Sequence, residues 1–112
     1  MQALASIEPP KYKNRTEEKY ASNLHLRLTC GEIHSYSYES IRLRIGGTAK
    51  RGIYFTPDFL VILADGSIEF HEVKGFWREA AKVRINVAAE KFPYFKFRAV
   101  KLVKGSWEHE EF

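Results

Sequence analysis

Thr56-Pro57-Asp58-Phe59-Leu60-Val61-Ile62-Leu63-Ala64-Asp65-Gly66-Ser67-Ile68-Glu69-Phe70-His71-Glu72-Val73-Lys74-Gly75 is the stretch on which the reading of this chain turns. Phe59 to Leu63 and Ile68 to Lys74 have the composition of strands, and Asp65-Gly66 marks a hairpin turn between them. The length of the turn decides which side chains share a face, because a slip of one residue moves every side chain to the other side. A two-residue loop pairs Ala64 with Ser67 and sets Asp58 opposite Val73, which points Asp58 away from Glu72 and Lys74. A three-residue loop, Ala64-Asp65-Gly66 with Gly66 left-handed, pairs Leu63 with Ser67 and sets Asp58 opposite Glu72. In that second register Asp58, Glu72 and Lys74 converge at the end of a face that also carries Ile68 and Phe70. Glu69, His71 and Val73 then occupy the opposite face.

Two carboxylates and a lysine at the end of an apolar face suit one kind of chemistry. A phosphodiester repels an attacking nucleophile by its negative charge. Adjacent carboxylates hold Mg2+ through oxygen ligands while leaving water in its shell, and the backbone carbonyl of Val73 is a further oxygen within reach. Such an ion neutralises the phosphate and lowers the pKa of water, and a neighbouring lysine orients or deprotonates the attacking water. The alternative for the same residues is a surface hairpin with an ordinary Glu72/Lys74 pair and Asp58 capping a turn.

Outward from the hairpin, the first 14 residues lack helical or strand periodicity and read as an extended basic arm. A helix is predicted from Arg15, capped by Thr16, with Tyr20, Ala21, Leu24 and Leu28 on one stripe that stops near Gly31. Glu32 to Ile45 alternates, but Tyr36 and Tyr38 have the opposite parity to Ile41, Leu43 and Ile45, so a bulge or a break falls near Glu39 and Ser40. Gly46-Gly47-Thr48 lacks the lysine and length of a phosphate-cradling loop and reads as a turn. Ile53 to Phe55 is a further strand. Trp77 to Phe92 is helical, with Ala80, Val83, Val87 and Lys91 on one stripe, and Pro93 ends it. Trp77 is placed to anchor this helix or to stack on a base. Tyr94 to Val103 reads as a last strand. The predicted order, helix, three or four strands, helix, strand, gives a mixed α/β (α+β) domain over residues 15–104, followed by an acidic tail over 105–112.

The composition agrees with one folded core: 112 residues, 45% hydrophobic and 29% charged. Cys30 is the only cysteine, which excludes an internal disulfide or a thiolate zinc cluster and suits a reducing compartment, with the cytoplasm as the expectation. No apolar run approaches the roughly 20 residues of a membrane span, and Met1 to Pro10 has no signal-peptide pattern. The net charge of +4 is unevenly spread. Residues 1–104 hold 18 Lys and Arg against 11 Asp and Glu, a net +7, whereas 105–112 add Glu108, Glu110 and Glu111 and no base. A basic body suits a polyanionic partner. His25, His34, His71 and His109 have no metal-site spacing and read as structural or surface residues.

Pro57-Asp58 followed by Glu72-Val73-Lys74, with Gly75 trailing, resembles the P-D…(D/E)-x-K signature of the PD-(D/E)XK nuclease superfamily. The resemblance implies a restriction-endonuclease-like core of helix, three-stranded antiparallel sheet, helix and strand. It implies a Mg2+-dependent deoxyribonuclease, with Mn2+ able to substitute, that leaves 5′-phosphates and acts as a homodimer. The small size and Gly31-Glu32-Ile33 resemble phage-encoded endonucleases related to Holliday-junction resolvases, which implies branched DNA as substrate and the host cytoplasm as its place. In the superfamily's pattern Asp58 and Glu72 are metal ligands and Lys74 is catalytic. Many members carry another acid on the first helix. Glu17 lies on the inward stripe here while Glu18 is turned about 100° away, so Glu17 is the candidate; both are also explained as first-turn acids favoured by the helix dipole. Arg78 and Lys82 follow Lys74 at one-turn spacing, and Lys11, Lys13, Arg15, Arg42, Arg44, Lys50 and Arg51 are candidates for gripping phosphates, with a plainly solvated role as the alternative for each. Two other functions remain open at this point: a non-catalytic nucleic-acid-binding module on the same fold, and an RNA-directed or transposase-associated nuclease.

Overall fold

The computed structural model describes residues 10–75 and 78–112. Its first helix, α1 (Arg15–Thr29), starts where the periodicity puts it, but the cap is Asn14 and not Thr16. The Asn14 side-chain oxygen accepts the Glu17 N–H at 2.8 Å. Asn14 is extended while Thr16 is already helical, and only a residue just outside the helix can turn its side chain back onto the free N–H groups. Gly31 (φ +81°) ends the helix.

Five strands then precede the second helix: β1 (Ile33–Tyr38), β2 (Leu43–Gly47), β3 (Gly52–Phe55), β4 (Phe59–Leu63) and β5 (Ile68–Val73). After α2 (Glu79–Lys91) come β6 (Lys96–Val103) and β7 (Ser106–Glu111). The architecture is mixed α+β, with a five-stranded sheet in the order β1-β4-β5-β6-β7 and a separate β2-β3 hairpin. All neighbours in the large sheet are antiparallel except β5 and β6, which are parallel and joined through α2.

Each face of the sheet has its own core. On one side Tyr20, Ala21 and Leu24 of α1 bury against Ile33, Phe59, Val61, Val73 and Val100. On the other, Ile85 and Ala88 of α2 close with Leu43, Ile45 and Phe55 of the hairpin over Phe70 and Phe97. This explains the parity change between Tyr38 and Ile41. The chain turns at Glu39 (φ +48°), leaves the large sheet and enters the hairpin, so Tyr36 and Tyr38 pack on the first core while Leu43 and Ile45 pack on the second.

The predicted stripe on α2 is corrected. Ile85 and Ala88 are buried, with Ala81 and Phe92 partly buried on the same row, whereas Val83 is 56% exposed. The helix carries two apolar rows, and the one with the bulkier Ile85 and Phe92 faces the hairpin and β6. The region expected as an acidic tail is also different: Ser106–Glu111 is the strand β7, paired with β6 from Val103↔Ser106 to Arg98↔Glu111. Lys104 and Gly105, both at positive φ, make the two-residue turn. Its glutamates are the solvated side chains of an edge strand, where charge discourages pairing with another chain. Of the expected arm, residues 10–14 are described, and Tyr12 is not loose: its ring packs edge-on against Tyr38, with centroids 4.7 Å apart. Trp77 lies outside the described residues. Among those described, no helix is long and apolar enough to cross a membrane.

Candidate functional site

The β4–β5 turn takes the three-residue form. Ile62 pairs with Ile68 and Phe59 with His71, the Leu63 N–H donates to the Ser67 carbonyl at 2.9 Å, and Gly66 has φ +90°. Continued past Phe59, this register sets Asp58 against Glu72. The two are joined reciprocally: the Asp58 N–H donates to Glu72 Oε1 at 3.0 Å, and the Val73 N–H donates to Asp58 Oδ2 at 2.8 Å. Lys74 Nζ lies 3.3 Å from Glu72 Oε2. The residue before a proline is held extended, so buried Pro57 delivers the chain straight into β4.

Asp58 is 3% and Glu72 9% exposed. Burial pushes the Asp58 carboxyl up to about 7, helped by the neighbouring Glu72 and opposed by the Val73 N–H. Burial raises Glu72 as well, against the pull of Lys74 and the Asp58 N–H. Two acids that resist ionising side by side are a site where a cation would be welcome, because it removes the repulsion and replaces lost solvation. The donor set is oxygen only, as a hard divalent ion requires, so the residues fit Mg2+ or Mn2+.

Glu17 is buried at the edge of this site, where Tyr38 donates its O–H to Glu17 Oε1 at 2.5 Å and the Lys13 N–H donates to the same atom at 3.3 Å. Its charge adds to the upward push on Asp58. It is not part of a compact ligand set, however: among the described residues no group of three or more His, Cys, Asp or Glu is arranged to hold a metal ion. The backbone of Val73 enters the site through its N–H.

The basic candidates divide. Lys13 pairs with Glu39 at 3.0 Å and helps to hold Asp58 and Glu72 down, so it belongs to the site's own charge balance. Arg44 turns back to donate to the carbonyls of Gly46 and Thr48 and closes the β2–β3 turn. Arg42 lies over the Tyr54 ring, 3.7 Å from its centroid. Lys50 and Arg51 sit exposed in the turn, Lys11 is exposed ahead of α1 and Arg15 is exposed at its first position. Arg78 lines the groove between α2 and β3 above Glu72 and Lys74, and Lys82 is partly buried on α2. The same groove is lined by Tyr54 and Arg84, which the sequence reading passed over because Arg84 is off the Lys74-Arg78-Lys82 row.

On the opposite face His71 is fully buried rather than superficial. Its Nε2 meets Glu69 Oε1 at 2.9 Å and its Nδ1 meets the Tyr20 hydroxyl at 2.6 Å. Burial holds the ring below its ordinary pKa, and an ionised Glu69 can only accept. Nε2 therefore carries the proton and Tyr20 donates to Nδ1. Arg98 Nε completes Glu69 at 3.1 Å. This network ties α1, β5 and β6 together directly behind the acidic pair.

The DUF1064 family, described as a protein of unknown function, matches residues 5–107. The chain belongs to that family. No curated protein and no solved structure matches it. In this DUF1064 chain the two acids, the lysine and the groove over them are the features that bear on chemistry.

Proposed function

We propose that this DUF1064 protein is a metal-dependent endonuclease of the PD-(D/E)XK type that hydrolyses DNA phosphodiester bonds in the cytoplasm. One observation carries the reading: Asp58 and Glu72, 14 residues apart in sequence, are buried side by side with the Lys74 ammonium 3.3 Å from Glu72. The helix, antiparallel β1-β4-β5 and parallel β6 joined through α2 supports it further, since this is the order that the resemblance to that superfamily implies.

Asp58 and Glu72 would hold Mg2+, or Mn2+ in its place, and the bound ion supplies Lewis-acid polarisation of the scissile phosphate. Lys74, fixed against Glu72, orients the attacking water and neutralises charge as it develops on the phosphoryl oxygens. Glu17 acts from the edge, held by Tyr38, and adjusts the charge on Asp58. The basic body steers DNA to the site. Branched DNA and a homodimer, in which two sites cut two strands, follow from the same resemblance.

The reciprocal bonds between Asp58 and Glu72 favour one second reading, in which the pair is a buried clamp in a nucleic-acid-binding module without catalysis. Incubation with four-way, flap and linear duplex DNA in Mg2+ or Mn2+ separates the two. Cutting that is lost in Asp58→Asn and Lys74→Met is expected. No cutting of any substrate by the wild type, or undiminished cutting by both variants, overturns the nuclease.

A further inference from the structure

The β2-β3 hairpin stands apart from the large sheet and forms one wall of a groove whose other wall is the first part of α2. The cavity between them is about 540 Å³, and Glu72 and Lys74 reach into it. Its lining holds three cationic side chains, Lys74, Arg78 and Arg84, against one carboxylate, Glu72. The walls are tied across the groove, because Arg84 Nη1 donates to the Tyr54 carbonyl at 3.2 Å. Arg42 lies over the Tyr54 ring, 3.7 Å from its centroid, outside the residues that line the groove.

From this we infer that the groove takes one unpaired DNA strand, so that the substrate is cut in its single-stranded or splayed part. The inference rests on the nuclease reading of Asp58, Glu72 and Lys74 and names the form of DNA that reaches them. Three features support it. The cavity falls in the range of roughly 300–1,000 Å³ that holds a ligand of nucleotide size. Lys74, Arg78 and Arg84 set positive charge along the groove, and a positively charged groove tracks the phosphates of a single strand. A cavity of about 540 Å³, bridged by the Arg84–Tyr54 bond, is far smaller than a duplex, so a paired strand must first be pulled out of the stack to enter it.

Binding is measured by fluorescence anisotropy in EDTA with a labelled single-stranded DNA, a splayed-arm duplex and a blunt duplex of equal length, and cutting of the same three in Mg2+. The single strand and the splayed duplex are expected to bind at least about tenfold more tightly than the blunt duplex. Arg84→Gln, which keeps a donor for the Tyr54 carbonyl but removes the charge, is expected to weaken single-strand binding and to lower the slope of log K against log salt by about 0.7. Arg78→Gln, at the start of α2 where its side chain makes no cap bond, is expected to act in the same direction and serves if the Arg84 variant does not fold. Equal binding of all three substrates, or unchanged affinity and slope in both variants, overturns the groove. RNA of the same sequence bound more tightly than DNA overturns DNA as the occupant. Cutting without dependence on Arg84 or Arg78 removes the groove and leaves the nuclease; groove-dependent binding of single strands without cutting in Mg2+ or Mn2+ removes the nuclease and leaves the groove.

Discussion

Asp58 and Glu72 hold each other through the main chain: Glu72 Oε1 accepts the Asp58 N–H at 3.0 Å, and Asp58 Oδ2 accepts the Val73 N–H at 2.8 Å. Each acid therefore fixes the strand end that presents the other. The arrangement is costly in the absence of a counter-charge, since both carboxyls are buried and raised. A cation bound between them, as the proposed activity requires, would relieve that cost.

That cost has a pH dependence. The Asp58 carboxyl is raised from 3.8 to about 7 by burial first and by Glu72 second. A raised carboxyl stabilises the fold below its unfolded pKa, and this contribution is lost as pH rises through about 7. Metal-free protein is expected to lose thermal stability between pH 5 and pH 8 relative to Asp58→Asn, which has no proton to release and keeps an acceptor for the Val73 N–H. Mg2+ at about 100 times its Kd should return about 2.7 kcal/mol to the wild type at pH 8 and nothing to the variant. Differential scanning fluorimetry over pH, with and without Mg2+, reads both effects.

Lys74 is expected to separate catalysis from binding. Lys74→Met keeps both carboxylates but removes the ammonium 3.3 Å from Glu72. Loss of a group that handles the attacking water should lower the cleavage rate by about 10²–10⁴-fold, while anisotropy in EDTA should show a fall in single-strand affinity no larger than that of Arg84→Gln. Because Lys74 is the main influence drawing Glu72 down, the Mg2+-induced stabilisation of this variant should also move to higher pH.

How much of this was legible in the sequence depended on how local the cause was. Asp65 and Gly66 located the β4–β5 turn and narrowed its register to two, and the structure takes the three-residue form, in which the acids converge. Glu17 was placed inward by its spacing to Tyr20, Ala21 and Leu24, which α1 alone determines, and it is buried. Its holder, Tyr38, was not foreseen, since that contact joins a helix to a strand 21 residues away. The stripe on α2 was misread for the same reason: its two apolar rows differ only in what they face, and the hairpin that decides between them is a tertiary neighbour. β7 was hidden by its glutamates, which on an edge strand report solvent rather than disorder.

The Tyr38–Glu17 contact should be worth more than a surface pair, because Glu17 is only 4% exposed. Tyr38→Phe keeps the ring against Tyr12 and Phe59, with centroids at 4.7 and 5.3 Å, and removes only the hydroxyl. Leaving a buried carboxylate short of a donor costs about 1–3 kcal/mol. Urea unfolding should show that loss in Tyr38→Phe and a smaller one when Glu17→Gln is added, a positive coupling that a surface pair would not give.

The acidic end of the chain is expected to matter for the fold and little for charge. Trp107 of β7 packs edge-on against Tyr20, with ring centroids 4.8 Å apart, and Phe112 donates its N–H to the Phe97 carbonyl at 2.9 Å. Deleting residues 105–112 would strip an edge from β6 and uncover the core on both faces, at Tyr20 and at Phe97. The deletion should therefore lower the melting temperature sharply, and any loss of DNA binding in it would report unfolding. The charge is tested instead by Glu108→Gln with Glu110→Gln, both exposed, for which stability should stay within about 0.5 kcal/mol of wild type. If DNA affinity at low salt is unchanged in that double variant, β7 lies away from the DNA; a rise in affinity would put its negative charge beside the bound strand.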